Sequence, residues 1–299
     1  MEEEYLIAID GGGTKTLGRI LSIKTGQTWE RKAGASSLTN NPDSACDVIL
    51  NLATSLLNDA SADAESSAIV CGVAGAGNQE RKAQLENKLY PKFSKILVVN
   101  DGVTSLYGAG EGEPIIVVAL GTGSVATRLD KKGNITQFGG WGFLVGDEGG
   151  GAQLGLELVK ETLKYRDQQK DKEIRPPIIN ECLGIIGESR QEILAWVNNA
   201  KPACFAKLAP ILFNYQDSSH LAQRIIKKSV SDILELIERA QPSVALPIAL
   251  VGGLAKPLFP YLTPSLKGEL IESKGGSLEG GIFLAKKLIK NNKNPIQSD

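Results

Sequence analysis

Two short turns, each rich in glycine with threonine or serine, follow apolar runs and could bind phosphate. The first is GGGTKT, residues 11–16, directly after Asp10, and the second is GTGS, residues 121–124. Glycine lets the backbone approach an anion closely and direct successive N–H groups at it. Threonine and serine add hydroxyl donors, and Lys15 adds a positive charge. The candidate phosphate-binding residues are therefore Gly11, Gly12, Gly13, Thr14, Lys15, Thr16, Gly121, Thr122, Gly123 and Ser124.

The two turns differ from the familiar phosphate-binding loops that lead into a helix. The P-loop places its lysine after a glycine, whereas Lys15 follows Thr14, and the dinucleotide-binding loop has a glycine where Thr16 stands. An apolar, strand-like run follows each turn instead of a helix. We therefore predict two β-hairpin turns that close on one ATP molecule from opposite sides. Taken alone, each turn could also be an ordinary tight turn.

Two aspartates each end an apolar run that is typical of a buried strand. Asp10 stands just before the first turn and could orient Mg2+, which prefers oxygen ligands and keeps part of its hydration shell. Asp101 stands beyond the carboxyl end of a strand, where open α/β sheets bind ligands. It could accept the proton of a substrate hydroxyl that attacks the γ-phosphate. Alternatively, Asp101 caps the helix that follows it.

Three further segments could bind the organic parts of the substrates. The glycine-rich stretch 138–155 offers the apolar face of Trp141 and the carboxylate of Asp147, a combination suited to sugars, or it is a turn-rich linker into a helix. Asn40 could hydrogen-bond a sugar hydroxyl or an amide, or belong to a plain loop. The pair Gly252–Gly253 could leave a flat surface for adenine, or it could simply allow neighbouring parts of the chain to pack closely.

A pattern of three strands and two turns occurs twice along the chain. YLIAID, LGRILSI and TWERKA form the first set, and IIVVAL, VATRLD and ITQFGG form the second. Three such strands in succession predict an antiparallel meander, and segments with helical and strand periodicity follow each set. We predict an α/β fold in which an internal duplication gives two domains, residues 1–113 and 114–299, with a cleft between them.

Composition excludes several other classes of function. The 299 residues carry a net charge of −1, which does not favour nucleic acid or an anionic membrane as a partner. The four cysteines are widely spaced, which argues against zinc and redox sites, and the single histidine, His220, leaves carboxylates to serve as base and metal ligand. The acidic start is unlike a signal peptide, and no apolar run approaches the roughly 20 residues that span a bilayer. We therefore expect a cytoplasmic protein with reduced cysteines.

These motifs together resemble the actin/hexokinase/Hsp70 ATPase superfamily and, within it, the BadF/BadG/BcrA/BcrD-type branch, which includes N-acetylglucosamine and glucosamine kinases. The similarity rests on DGGGTKT and GTGS, on VND ending at Asp101, on GGWGF and GDEG, and on VGG. The resemblance implies two ribonuclease H-like domains, as in actin-like ATPases, with ATP and Mg2+ as cofactors. From it we also expect a homodimer that acts on a small amino sugar, with no nucleic-acid or membrane partner.

By this resemblance, the protein transfers the γ-phosphate of ATP to the 6-hydroxyl of an amino sugar, with N-acetyl-D-glucosamine as the expected acceptor. Glucosamine is one alternative, and an ATP-hydrolysing activator or switch of the same family is another. Asp101 is the expected base and Asp10 the expected metal residue. The implied substrate residues are Asn40, Asp101, Thr122, Gly123, Gly140, Trp141 and Asp147, and the implied adenosine residues are Gly252 and Gly253. Gly75 stands where mammalian N-acetylglucosamine kinases have a serine, which leaves the contacts to an acetamide group open.

Overall fold

The computed structural model describes residues 5–39, 41–168, 175–266 and 268–291. Its strands are β1 Tyr5–Gly11, β2 Thr16–Ser22, β3 Thr28–Ala33, β4 Ser67–Val73, β5 Lys95–Val99, β6 Ile115–Leu120, β7 Ser124–Leu129, β8 Ile135–Gly139, β9 Ile248–Val251 and β10 Leu270–Ile271. Its helices are α1 Pro42–Ala60, α2 Gln79–Leu89, α3 Asp101–Gly110, α4 Gly151–Gln168, α5 Pro177–Ile186, α6 Arg190–Asn199, α7 Pro202–Ala206, α8 Ala209–Asn214, α9 His220–Ala240, α10 Ala255–Leu262 and α11 Ser277–Asn291.

Within the described residues the strands form two five-stranded sheets of the same topology. The first sheet has the order β3-β2-β1-β4-β5 and the second has the order β10-β9-β6-β7-β8. Read from its opposite edge, the second sheet repeats the first: three consecutive strands, then the fourth strand beside the first of them, and the fifth beside the fourth. Both predicted sets of three neighbouring strands are confirmed, and with them the two-domain α/β fold.

The described residues divide into two compact units. Unit 1 contains those of Met1–Val117, Thr127–Thr136 and Glu272–Asp299, and unit 2 contains those of Val118–Ala126 and Gln137–Ile271. The helix α11 therefore belongs to unit 1, where it packs against α3, β1 and β4. The boundary predicted at residue 113 separates the two copies of the sequence repeat, whereas the compact units follow from the packing of the chain. The predicted boundary stays a prediction.

Helix α1 covers the first sheet and closes the core of unit 1. Ile49 and Leu56 recur at helical spacing on its buried face. A Cβ on Gly18 of β2 would lie 2.8 Å from a Leu56 methyl carbon, so the glycine lets the helix pack close to the sheet. As predicted, the Asn41 side chain caps this helix and Pro42 is its first residue.

The cysteines and the single histidine have the structural roles that the sequence predicts. Cys46, Cys71 and Cys182 are buried free thiols, and burial raises the pKa of the Cys71 thiol far above its ordinary value. His220 is exposed as the first residue of α9, which Ser219 caps. No described helix has the length and the apolar character that crossing a membrane requires.

Candidate functional site

Strand register brings Asp10 and Asp101 to the same edge of the first sheet. Strands β1, β4 and β5 are parallel, and Asp10 lies opposite Gly72, which lies opposite Val99 at the end of β5. Asp101 follows as the first residue of α3. Both carboxylates therefore stand at the carboxyl ends of parallel strands, which is where α/β sheets bind ligands.

Both carboxylates are partly removed from water. Burial raises the pKa of Asp101, and the backbone N–H of Gly102 acts in the opposite direction by hydrogen bonding. Burial also raises the pKa of Asp10, and the negative charge of Asp101 raises it further, while Lys15 and the Ser277 hydroxyl lower it. A carboxylate with a poorly solvated charge holds a proton more readily than a free aspartate does, which suits a general base.

Asn100 supplies the N-cap of α3, so Asp101 is not needed for that role. The Asn100 side-chain oxygen accepts the Gly102 N–H at 2.9 Å, and Asp101 Oδ1 shares the same N–H at 3.0 Å. Among the described residues no basic side chain forms an ion pair with Asp101. Its carboxylate therefore keeps the capacity to accept a proton from a ligand.

The pair of carboxylates suits a magnesium ion better than a metal held by protein atoms alone. The described part of the chain contains no group of three or more histidine, cysteine, aspartate or glutamate side chains that could hold a metal. Mg2+ keeps several waters and takes one or two carboxylates together with substrate phosphates. Asp10 and Asp101 fit that requirement because both stand at the carboxyl ends of parallel strands. They also interact electrostatically, since the negative charge of Asp101 raises the pKa of Asp10.

The first turn keeps its backbone open to a ligand. Gly13 is exposed at the tip, and a Cβ placed on it would meet no described atom within 4 Å. The N–H of Gly12 closes the turn on the Lys15 carbonyl oxygen at 3.1 Å. Gly11 differs, because it belongs to β1 and a Cβ there would lie 2.6 Å from Ser36 Oγ. The open part of the turn is therefore its tip rather than its first glycine.

Thr16 connects the first turn to the loop after β3. Its side chain is fully buried, and its hydroxyl lies 2.6 Å from the Gly34 carbonyl oxygen and 2.7 Å from Ser36 Oγ. The Ser36 N–H in turn donates to the Gly12 carbonyl oxygen at 3.0 Å. Since a hydroxyl has one proton and Thr16 donates it within the protein, the Thr16 hydroxyl has no proton left for a ligand.

The second turn repeats this arrangement within unit 2. The buried hydroxyl of Ser124 donates to the Glu148 carbonyl oxygen at 2.6 Å, as Thr16 donates to a loop carbonyl in the first turn. The carbonyl oxygens of Gly121 and Thr122 accept N–H groups from the start of α4 at 2.9 and 2.8 Å. The turn, the loop and the helix are therefore held together by hydrogen bonds, while the Thr122 side chain is exposed.

Asp147 lies directly against the second turn. A Cβ on Gly123 would lie 2.3 Å from its Oδ2, so a larger residue at that position of the turn would displace the carboxylate. Burial raises the pKa of this carboxylate above the ordinary value, and the backbone N–H groups of Gly142 and Ser124 act in the opposite direction. A carboxylate has about four lone-pair sites. Asp147 thus lies against the turn with a carboxylate that can accept hydrogen bonds from a ligand.

Trp141, the apolar face expected for a sugar, is 79% exposed. Gly140 and Gly142 on either side have φ angles of 70° and 92°, a region that favours glycine. The base of this loop is anchored by Gln153 of α4, whose side-chain amide donates to two loop carbonyl oxygens at 2.8 and 3.1 Å. The loop therefore presents the indole outward from a fixed base.

Gly252 and Gly253 connect β9 to α10 and are both exposed. Gly252 has a φ of 95°, and a Cβ on it would lie 2.4 Å from the Leu120 carbonyl oxygen, so it packs against the end of β6. A Cβ on Gly253 would meet no described atom within 4 Å. The surface free of side chains that we expect for adenine is present, and its role stays a prediction.

The candidate sugar residue Asn40 lies outside the described residues. Its neighbour Thr39 packs against Gly75, which has a φ of 91°. A Cβ on Gly75 would lie 2.6 Å from Thr39 Oγ1 and 2.9 Å from Thr39 N. A serine at this position would therefore require the loop to move.

The sequence analysis did not identify two residues that lie near the candidate site. Ser36 is a buried polar residue that contacts Thr16, and the hydroxyl of Ser277, in the first turn of the last helix, lowers the pKa of Asp10. Neither belongs to a motif, and only long-range packing brings each to the site. A glycine pair before a predicted helix start, as in GGSLEGG, was the one local signal near Ser277.

Comparison with known proteins decides the family. The model of the BadF/BadG/BcrA/BcrD ATPase family matches residues 7–275. The chain belongs to this family. The resemblance that the motifs indicated is thereby confirmed over nearly the whole sequence.

Relatives in this family include kinases of amino sugars. The N-acetylmuramic acid/N-acetylglucosamine kinase of Clostridium acetobutylicum is 28% identical, over 95% of this chain and 98% of that protein. The glucosamine kinase of Vibrio cholerae is 26% identical, over 95% and 96%. A solved structure of a candidate N-acetylglucosamine kinase from Chromobacterium violaceum is 31% identical with a TM-score of 0.83, over 94% of this chain and 99% of that one.

Proposed function

We propose that this protein is an ATP-dependent amino-sugar kinase that phosphorylates the 6-hydroxyl of N-acetyl-D-glucosamine. Family membership and the names of its relatives support an amino-sugar kinase. The observation that carries the chemistry is the Asp101 carboxylate, which is half-buried at the end of a strand while Asn100 caps the helix. The expected cytoplasmic location and homodimer stay predictions.

In the proposed reaction the sugar hydroxyl oxygen attacks the γ-phosphorus of ATP. A bond forms between that oxygen and the phosphorus, and the bond to the bridging oxygen breaks, so that ADP leaves with the electron pair. Asp101 accepts the proton of the hydroxyl. Asp10 would hold Mg2+, which when bound would supply positive charge to the phosphate oxygens.

The remaining candidate residues divide between phosphate binding and sugar binding. We assign the phosphates to the backbone N–H groups of both turns and to the exposed hydroxyls of Thr14 and Thr122. Thr16 and Ser124 hold the adjacent loops rather than the phosphates, because their protons go to carbonyl oxygens. In this proposal Asp147 accepts hydrogen bonds from sugar hydroxyls. Asn40, Gly123, Gly140 and Trp141 complete the sugar site, and Gly252 and Gly253 border the adenosine.

A substrate panel tests the proposal. ADP release is measured with ATP, Mg2+ and, in turn, N-acetyl-D-glucosamine, glucosamine, N-acetylmuramic acid, N-acetylmannosamine and glucose. We expect the highest kcat/KM with N-acetyl-D-glucosamine and a 6-phosphate product by phosphorus NMR. A higher value with glucosamine, the substrate of the Vibrio relative, would correct the acceptor. ATP hydrolysis that is equally fast without any sugar would contradict a kinase and favour a switch protein.

A further inference from the structure

Asp147, the carboxylate expected to accept hydrogen bonds from a sugar, has an uncommon backbone conformation. Its φ angle is 59°, which lies in the left-handed region. Glycine adopts this region routinely, and asparagine and aspartate do so less often. A residue other than glycine keeps such a conformation where the structure around it fixes the backbone. The contacts of the residues next to Asp147 show which groups supply that restraint.

Two buried serine hydroxyls hold the two residues that follow Asp147. Ser124 donates to the Glu148 carbonyl oxygen at 2.6 Å, and Ser229 of α9 donates to the Gly149 carbonyl oxygen at 2.9 Å. Both serines belong to unit 2, and each is only 3% exposed, so water does not compete for these bonds. Two consecutive carbonyl oxygens are therefore fixed by donors from two different parts of the chain.

Helix α9 packs directly against this loop. Gly149 has a φ of 79°, and a Cβ on it would lie 2.6 Å from Ile233 Cγ1 and 2.9 Å from the Ser229 carbonyl oxygen. At the next residue, a Cβ on Gly150 would lie 2.7 Å from Gly123 Cα. The glycines therefore let the loop lie close to both α9 and the second turn.

Three backbone hydrogen bonds hold the rest of the loop without help from α9. The N–H of Gly150 donates to the Asp147 carbonyl oxygen at 3.0 Å. The N–H groups of Gly151 and Ala152 donate to carbonyl oxygens of the second turn at 2.9 and 2.8 Å. Removing the Ser229 hydroxyl would leave these three bonds in place and release only the Gly149 carbonyl oxygen. The backbone on the carboxyl side of Asp147 would then be held less firmly.

A binding group has to be held within about 0.5 Å of its productive position, and residues behind it supply that support. The Ser229 hydroxyl fixes the Gly149 carbonyl oxygen, and this bond together with that of Ser124 restrains the backbone that carries Asp147. That backbone sets where the carboxylate lies. We propose that Ser229 is a positioning residue that holds the Asp147 carboxylate in place for the hydroxyls of the sugar.

Sugar binding is the first readout, because the inference rests on the proposed function in assigning Asp147 to the sugar. Ser229→Ala should weaken binding of N-acetyl-D-glucosamine, measured by calorimetry, about 10-fold, since a displaced binding group loses part of its contacts. It should raise the KM for the sugar and leave the KM for ATP near the wild-type value, because Gly151 and Ala152 still bind the second turn. Ser229→Thr keeps the hydroxyl and should restore most of the affinity.

Ser231→Ala is the matched control. Ser231 lies two residues further along the same helix and is exposed. We expect this variant to bind the sugar as the wild type does. Wild-type sugar affinity in Ser229→Ala, or an equal rise in the KM values for sugar and ATP, would overturn the inference.

A backbone measurement without ligand separates this inference from the proposed function. The Cα and Cβ chemical shifts of Asp147, measured by NMR, report its backbone conformation. They should change in Ser229→Ala and stay the same in Ser231→Ala and Ser229→Thr, and unchanged shifts in folded Ser229→Ala would overturn the inference. If the wild type binds none of the sugars in the panel, the proposed function fails, and these shifts alone decide the role of Ser229. If Ser229→Ala does not fold, Ser229→Cys, a weaker donor of similar size, takes its place.

Discussion

Thr16 donates its buried hydroxyl to the carbonyl oxygen of Gly34 at 2.6 Å and so joins the first turn to the loop after β3. Ser124 makes the corresponding bond to Glu148 at 2.6 Å in the second half of the chain. In both copies of the repeat, the last residue of a glycine-rich turn hydrogen-bonds a loop that carries a candidate sugar residue, Asn40 in the first copy and Asp147 in the second. In the proposed kinase, each turn that binds phosphate would therefore be joined by a buried hydrogen bond to a loop that binds sugar.

Thr16→Val should separate this linking role from phosphate binding. The substitution keeps the shape but removes the hydroxyl and leaves the Gly34 carbonyl oxygen without this donor, which should lower the free energy of unfolding by about 1–3 kcal/mol. We expect urea unfolding to show this loss and the KM for the sugar to rise. Thr16→Ser retains the donor and should stay close to the wild type. Equal stability of the valine and serine variants would show that the bond contributes nothing.

Gly123→Ala should damage sugar binding through Asp147. The new methyl group would lie 2.3 Å from Asp147 Oδ2, so the carboxylate must move away from the turn. We expect a higher KM for the sugar, measured by steady-state kinetics at saturating ATP. Gly121→Ala is the control from the same turn, because a Cβ there would meet no described atom within 4 Å. If both variants change the KM for the sugar equally, Asp147 is not the cause.

Asp101→Asn should stabilise the protein in a way that depends on pH. Burial raises the pKa of Asp101 in the folded state above the unfolded value of about 3.9. The contribution of such a group to stability is fully present below the unfolded-state pKa and is lost as the pH rises through the folded-state pKa. Asparagine does not titrate. The stability of the variant relative to the wild type should therefore increase as the pH rises from about 4 through the folded-state pKa of Asp101, in buffer without Mg2+ or nucleotide.

Asp59→Asn is the control with the opposite sign. Hydrogen bonds from the Arg31 guanidinium lower the pKa of Asp59, whose contribution is therefore present above the unfolded-state pKa and lost as the pH falls. This variant should lose stability relative to the wild type near pH 7 and match it in acid. Thermal melting across the same pH range measures both variants. An Asp101→Asn difference that does not change with pH would mean that burial leaves that pKa unshifted.

Much of the fold can be predicted from local pattern. Apolar runs ending in glycine and threonine predict both hairpins, and Asn41 with Pro42 predicts the start of α1 because cap chemistry is local. The two-residue strand β10 is too short for any periodicity to reveal it. Its pairing with β9 comes from tertiary packing, which a local pattern does not contain.

The candidate site also contains residues that the local sequence predicts and residues that only tertiary packing brings there. Asp10 and Asp101 can be predicted because strand ends are readable in sequence and parallel register then aligns them. The influence of the Ser277 hydroxyl on the pKa of Asp10 could not be predicted, because it depends on the close approach of α11 to α3 across glycines. The buried bond of Thr16 was equally hidden, since the sequence shows a hydroxyl but not which group it faces.

A single-turnover measurement with Asp101→Asn tests the role of Asp101 as the base most directly. Enzyme in excess is mixed with ATP, Mg2+ and N-acetyl-D-glucosamine, and formation of the sugar phosphate is followed by rapid quenching. Loss of the base should slow the chemical step about 10²–10⁴-fold, while binding of the sugar, measured by calorimetry, changes little. A phosphoryl-transfer rate near that of the wild type would contradict the central claim that Asp101 takes the proton of the sugar hydroxyl.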